Sequence, residues 1–352
     1  MKTSRMLPLA LGILALIAVG AVLKLAQQVI LPVVIAVLLS FILEPMVRVL
    51  IRVRIPRIVA MLLVIFFIFG FFYLIGLFLY NSAQSFLGEY QDYIERMNTI
   101  FQDFNAKYLN RLNIPMDVFE NINWADTVKQ YIVSWSGSFF RFLLVLALII
   151  LFLFFLFLEN PRFKYKLKQA YPLHTARRVA ILLEHITRQI SRYLGIKFLI
   201  SAGTGILIYA ALTIIGMEFA LIWASIAFFL NFIPNIGSLI SAVITILVSI
   251  IQFYPSAGSI ITVAVSVIVI QLGMGNFADP LLQGERLNLS PFIILFSLLF
   301  WGWLWGIVGA IIAVPLTATI RIVCLNIDFL RPVGVLLGGK HRTRKKRSKT
   351  DG

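Results

Sequence analysis

The run from Phe139 to Leu158 reads FFRFLLVLALIILFLFFLFL, nearly continuous Phe, Leu and Ile. A helix rises 1.5 Å per residue, so about 20 such residues cross the roughly 30 Å of hydrocarbon in a bilayer. Similar runs extend over about Leu7–Leu23, Leu25–Leu43, Ile58–Tyr80 and Phe198–Ile215. The whole chain agrees with them. Of 352 residues, 60% are hydrophobic and 13% charged, and Phe numbers 30 against 15 Asp plus Glu. Mean hydropathy is +0.95. A soluble fold of that composition would have no surface left to face water. A polytopic membrane protein follows, and a secreted enzyme, a nucleic-acid binder and a disordered chain are excluded as the main body.

The net charge of +16 is arranged as membrane orientation requires. Residues 44–57 carry Arg48, Arg52, Arg54 and Arg57 against Glu44. Residues 159–197 carry a longer basic series that includes Arg162, Lys164, Arg177, Arg188, Arg192 and Lys197. The tail is basic from Lys340 to Lys349. Residues 81–137 are acidic instead, with Glu89, Asp92, Glu95, Asp103, Asp117, Glu120 and Asp126. The positive-inside rule then places both termini and 159–197 in the cytoplasm, and 81–137 outside. Alternation of the first five spans gives the same answer. The first run could be read as a cleaved leader, but that would orphan half of the hairpin hinged near Lys24. One Cys (Cys324) and three His (His174, His185, His341) offer neither a disulfide framework nor a metal site, and no cofactor is expected.

Between the third and fourth spans, Phe86, Tyr90, Tyr93, Met97, Ile100, Phe104 and Tyr108 recur at helical spacing. A second outer helix is expected from about Asn123, showing Trp124, Val128, Tyr131 and Trp135. These aromatic faces suit packing on the bundle or the membrane interface, with an oligomer contact as the competing role. An inner amphipathic helix is expected from about Arg177 to Tyr193, with Glu184 and Arg188 as an i,i+4 pair. The short outer turn holding Glu218 reads as solvated. The layout is therefore residues 1–80 as a three-span region and 81–137 as outer helices. Residues 138–158 form the fourth span, 159–197 a basic inner segment, 198–325 a core of broken helices, and 326–352 a basic tail.

The second half interrupts its own helices. Between Ala220 and Gln252 the apolar run is broken by Asn231-Phe232-Ile233-Pro234-Asn235-Ile236-Gly237. From Gly273 to Pro291 the chain is polar and rich in Gly and Pro, and from Phe292 to Ile320 it is apolar but holds Gly302, Gly306, Gly309 and Pro315. Proline removes an N–H and disfavours helix before it. Irregular backbone at membrane depth survives only inside protein or beside a watery cavity, and secondary transporters build solute sites from such breaks. A plain loop between two short spans competes with that reading. Parity requires an odd number of crossings after residue 216. We expect an all-α fold of about eight transmembrane helices, with one re-entrant hairpin. Re-entrant pieces in both long stretches, leaving about six full spans, are the alternative.

The string Gly275-Asn276-Phe277-Ala278-Asp279-Pro280-Leu281-Leu282-Gln283-Gly284, then Leu289-Ser290-Pro291, Phe300-Trp301-Gly302-Trp303-Leu304-Trp305-Gly306, Gly309 and Val314-Pro315-Leu316-Thr317, resembles the C-terminal signature of the autoinducer-2 exporter family. Phe232-Ile233-Pro234-Asn235-Ile236-Gly237 is similar to that family's Pro–Gly break. Asp279 stands where related sequences often have Glu, so the carboxylate is kept. The resemblance implies a homo-oligomeric transporter of the bacterial inner membrane that exports a small polar signalling molecule, autoinducer-2. Some relatives resemble sodium/proton antiporters.

The expected solute or ion site is lined by Asn231, Pro234, Asn235, Gly237, Asn276, Asp279, Pro280, Gln283 and Gly284. Amide side chains would bond the solute, and Asp279 would take a coupling proton or sodium ion. Gly302, Gly306, Gly309 and Pro315 are the expected helix breaks or hinges. An antiporter is the first alternative, with Asp279 and then Glu44 as its carboxylates. A non-transporting scaffold presenting the outer helices is the second. No nucleophile–His pair, catalytic carboxylate pair or Walker-type loop appears, so neither an enzyme nor direct ATP drive is expected. The partners are the lipid bilayer and the solute, and no nucleic acid.

Overall fold

The computed structural model describes residues 3–107, 124–234, 236–283 and 289–339. Among them the chain is helical throughout, apart from turns and one isolated bridge between Leu289 and Gly338. The helices are α1 (Thr3–Leu25), α2 (Gln27–Arg52), α3 (Arg57–Lys107), α4 (Trp124–Ala170), α5 (Leu173–Ile215), α6 (Ala220–Leu230), α7 (Ile236–Phe253), α8 (Ala257–Leu272), α9 (Asp279–Gln283), α10 (Pro291–Leu325) and α11 (Arg331–Leu336). A π-helical turn, Gly273–Ala278, joins α8 to α9. Seven stretches of the described residues are long and apolar enough to cross a membrane, from Gln27–Arg52 to Pro291–Leu325. This is an all-α membrane protein. α1 covers the first apolar run.

Three helices are longer than the spans they contain. α3 has 51 residues, α4 has 47 and α5 has 43. The outer amphipathic stretch after Tyr80 continues α3 without a break, because its helical periodicity follows on in phase. The second outer helix likewise begins at Trp124 and runs straight into the fourth span as α4. The side chains of Phe86, Tyr90, Phe104, Trp124, Val128, Tyr131 and Trp135, together with Asn123 and Tyr108, lie outside the described residues. So do Asn235, Gly284 and the tail from Lys340.

The chain forms two compact units. The central unit holds Gln28–Phe163 and Gly195–Leu282. In it Ala36, Leu43 and Val47 of α2 pack with Ala60, Met61 and Val64 of α3 and with Leu153 and Phe157 of α4. A second cluster joins Ile208 and Leu212 of α5, Ala220, Ala224 and Ala227 of α6, Ala242 of α7 and Val263 and Val267 of α8. The alanines let α6 and α7 approach closely. Gly237 at the start of α7 completes this turn, since a Cβ there would collide with the Leu230 carbonyl.

The terminal unit holds Met1–Gln27, Lys164–Leu194 and Gln283–Gly352. Its inner helix buries Ile186, Ile190 and Tyr193 along the expected face, and Arg188 meets Glu184 at 2.9 Å. α10 doubles back on itself. Trp301 and Thr317 are 16 residues apart, about 24 Å along a straight helix, yet the indole Nε1 of Trp301 donates to Thr317 Oγ1 at 3.2 Å. The reversal falls at Trp305 (φ −128°, ψ 16°) and Gly306 (φ 67°, ψ −150°). That second conformation is open essentially to glycine alone. Gly309 sits where the arms are tightest, and a Cβ there would overlap the Trp301 carbonyl oxygen. Gly302 is roomier, its Cβ meeting Ala310 at 3.7 Å. Pro315 is buried inside an uninterrupted arm. Of the four expected breaks or hinges, only Gly306 breaks the helix.

The contrast among these glycines is testable. Gly306→Ala should cost about 1–3 kcal/mol through backbone strain, and Gly309→Ala should lower folded yield in detergent. Gly302→Ala should leave the thermal midpoint unchanged or higher, because it adds helix propensity without a clash. Equal behaviour of Gly302→Ala and Gly309→Ala in size-exclusion and thermal melts would contradict the hairpin.

Candidate functional site

The central unit turns ordinary amphipathicity inside out. Gly237, Ser241, Thr245 and Ser249 recur every four residues on α7 and are buried, while Leu239, Ile240, Val243 and Leu247 face outward. On α5 the buried stripe is Lys197, Ser201, Thr204 and Ile208. In lipid the apolar face needs no partner, and the polar face must find one.

Those partners form a row. Lys197 Nζ donates to Asp279 Oδ2 at 2.9 Å. One turn along α5, Ser201 Oγ accepts from Asn231 Nδ2 at 3.1 Å. Gln271 of α8 donates through Nε2 to Ser241 Oγ at 3.0 Å. Thr204 and Thr245 donate back to their own helices, to Ile200 and Ser241 carbonyls. At the far ends of α5 and α7, Gln252 donates to the Gly216 carbonyl and accepts from the Glu218 amide. From Lys197 to Ile215, α5 alone covers about 27 Å at 1.5 Å per residue, close to the thickness of the hydrocarbon.

Asp279 reaches Lys197 because of the turn before it. Its backbone N–H bonds the Met274 carbonyl, five residues back. This wider turn adds a residue to the helical repeat and so rotates everything after it. Gly203 of α5 gives room for Met274, whose Cε would lie 2.9 Å from a Cβ at that glycine.

The break after α6 is better satisfied than expected. The N–H groups of Asn231, Phe232, Ile233, Ile236 and Gly237 all donate to nearby carbonyls in tight turns. Side chains, more than bare main chain, therefore supply the polar character here. Pro234 is half-buried, Asn276 and Pro280 are exposed, and the side chain of Gln283 lies outside the described residues. Asn231 and Asp279 are thus the expected site residues that the fold brings into the row. Lys197, Ser201, Ser241 and Gln271 join them from outside the expected set.

Family comparison places this row in context. The family model described as AI-2E family transporter matches residues 11–328. The chain belongs to the AI-2E transporter family. An inferred transport protein of Borreliella burgdorferi is 35% identical over 327 residues, 93% of this chain and 89% of the relative. One from Haemophilus influenzae is 32% identical over 325 residues, 89% of this chain and 90% of the relative. The AI-2 transport protein TqsA of Escherichia coli is 28% identical over 337 residues, covering 93% and 94%. In this AI-2E family chain, multi-pass membrane architecture and a transporter assignment therefore agree.

The α3 extension closes the Gln252 end of the row. Tyr93 is buried and its phenol donates to Glu218 Oε2. Arg96 Nη1 donates to the Gln252 carbonyl at 3.3 Å, and Tyr254 donates to Asp103 Oδ2 at 2.6 Å. The expectation of a solvated Glu218 is corrected: Tyr93 of α3 packs on this turn and gives the carboxylate a donor. Burial first, then the bond to Glu218, raises the pKa of the Tyr93 phenol above the ordinary tyrosine range.

The sign of the pH effect follows. A raised folded-state pKa means that the stabilisation is complete below about pH 10 and fades as pH rises through the raised value. Tyr93→Phe should cost about 1.5–3 kcal/mol, typical of a hydrogen bond to a charged group. It should also remove the latest-titrating tyrosinate signal at 295 nm. A melt and an alkaline titration identical to wild type would show that the bond carries no weight.

Proposed function

We propose that this chain is a secondary transporter of the bacterial inner membrane, exporting a small polar solute of the autoinducer-2 kind. One observation carries the reading: polar side chains drawn into the interior of the central unit meet in pairs, Ser201 with Asn231, Ser241 with Gln271 and Lys197 with Asp279. Such groups are costly in hydrocarbon and are kept where they serve a path. Hydroxyl and amide rungs are the chemistry that a hydroxylated solute could exchange for its own bonds. The name of the Escherichia coli relative supports autoinducer-2 as the first solute to try.

The topology that fits this function has both termini in the cytoplasm and two re-entrant hairpins. α6 has 11 residues and reaches only about 16 Å, so α6 and α7 enter and return on one side. The arms of α10, which reverse at Gly306, form a second re-entrant hairpin. This favours about six full crossings over the expected eight. The chain then acts in the layout set out from its sequence, with 198–325 as the transport core.

Sodium/proton antiport is the second reading, favoured by a carboxylate, Asp279, held at the end of the row by a buried cation. Glu44, the other candidate, pairs with Arg48 at 3.5 Å on α2. A scaffold presenting the outer helices is disfavoured, because the α3 extension spends Tyr93, Arg96 and Asp103 on its own unit.

Cells lacking the gene should accumulate less of the exported solute in their medium. In proteoliposomes, Asn231→Ala and Asp279→Asn should each slow autoinducer-2 efflux by at least about tenfold, equivalent to 1.4 kcal/mol of barrier. Unaltered efflux in both variants would remove the row from the mechanism. Sodium-driven proton movement with no autoinducer-2 flux would select the antiporter.

A further inference from the structure

We infer that the Lys197 ammonium is a tethered competitor for a monovalent cation site at the Asp279 carboxylate, so that a free cation binds only when Lys197 lets go. The inference rests on the transport reading for its purpose, but not for its geometry.

Three observations carry it. The pair is asymmetric: the Lys197 side chain is 3% exposed and that of Asp279 is 23% exposed. An ion approaching from outside the unit therefore meets the carboxylate first, while the ammonium stays behind in the core. Second, the turn that delivers Asp279 is a π-helix closed by Pro280. Proline has no N–H to give to the carbonyls of the preceding turn, and π-helical turns concentrate at functional sites. A carboxylate oxygen is a ligand that a hard cation takes. Third, a buried ion pair is a poor stabilising device. Its desolvation cost rivals its attraction, and an apolar pair of equal volume would hold the helices as well.

The charge arithmetic sets the ligand class. The single carboxylate of the pair carries one negative charge, which matches an ion with a single positive charge. A divalent ion would ask for several carboxylates, and no group of three or more acidic, His or Cys residues that could hold a metal lies among the described residues. When the pair parts, Lys197 has Ser201 Oγ one turn away on its own helix as an acceptor. Ser201 is already the partner of Asn231. Cation binding at Asp279 thereby reaches the rung that the proposed solute path uses.

The test needs no transport. Purified full-length protein in detergent is melted in sodium chloride against N-methylglucamine chloride at constant ionic strength, since a ligand of the folded state raises the midpoint by mass action. Wild type should respond to sodium at high concentration. Lys197→Gln should respond with a half-saturating concentration at least about tenfold lower, because the competitor is gone. Asp279→Asn should not respond. Lys197→Arg, a permanent and bidentate partner for the carboxylate, should respond more weakly than wild type, and this variant decides the matter if Lys197→Gln does not fold. Identical sodium dependence of wild type and the Lys197 variants, or a wild-type response in Asp279→Asn, overturns the inference. Autoinducer-2 efflux measured alongside keeps the two ideas apart. Absent efflux with the expected sodium pattern sinks the solute reading alone, and normal efflux with no sodium pattern sinks the competitor alone.

Discussion

A polar group in hydrocarbon has no water to fall back on, and an unpaired one costs several kcal/mol. The central unit is organised by that constraint. α7 points Ser241, Thr245 and Ser249 inward and its large aliphatic residues outward, the reverse of a soluble helix. α8 presents a matching group to Ser241 through Gln271, Thr245 and Ser249 bond carbonyls of their own helix, and on α5 Ser201 answers Asn231. Packing alone would have been satisfied by alanine at all of these positions. The hydrogen-bonded rungs therefore specify which helix faces meet.

Much of the architecture was legible because hydrocarbon thickness and helical period act on sequence directly. The apolar runs and the aromatic face of the α3 extension follow from spacing. Tyr93 lies on that face and is buried as the spacing requires. The merger of outer stretch and span into one helix was less visible, since a fall in hydropathy after Tyr80 looks like an ending when no breaker marks it. Lys197 was hidden for a different reason. It stands at the edge of a strongly basic segment, and charge counting treats it like its neighbours. Its burial is decided by a partner 82 residues away and by an extra residue in the π turn, neither of which periodicity encodes. The four-residue spacing of Gly237, Ser241, Thr245 and Ser249 was a readable signal for the polar face, hidden by the hydropathy of the surrounding run.

The reversal in α10 shows how one residue type plays separate roles. Gly306 supplies a backbone conformation, Gly309 supplies the absence of a side chain, and Gly302 is merely accommodated. A proline would be the intuitive breaker, yet Pro315 sits within a helical arm. In lipid, a missing hydrogen bond can be tolerated inside a packed bundle, whereas a forbidden φ, ψ pair has no neighbour that can relieve it. Steric permission at Gly306, and the Trp305 indole donating to the Leu23 carbonyl at 3.2 Å, fix where the chain turns.

The two ends and the middle of the row differ in what could replace their bonds. The Asn231–Ser201 and Gln271–Ser241 rungs are neutral, each worth about 0.5–1.5 kcal/mol net. A solute that offers a hydroxyl can take over such a rung at little cost, because one hydrogen bond replaces another. Lys197 and Asp279 cannot be parted so cheaply. Each holds the other by charge, so a neutral hydroxyl or amide does not take the place of either partner at little cost. At the opposite end, the Tyr93 phenol meets the Glu218 carboxylate as a protonated donor, and no ion is needed to release it. On this reading the middle of the row selects for hydroxyl and amide chemistry, while one end alone answers to ions. Solute recognition and ion sensitivity would then reside on different residues of the same helix, Ser201 and Lys197, one turn apart.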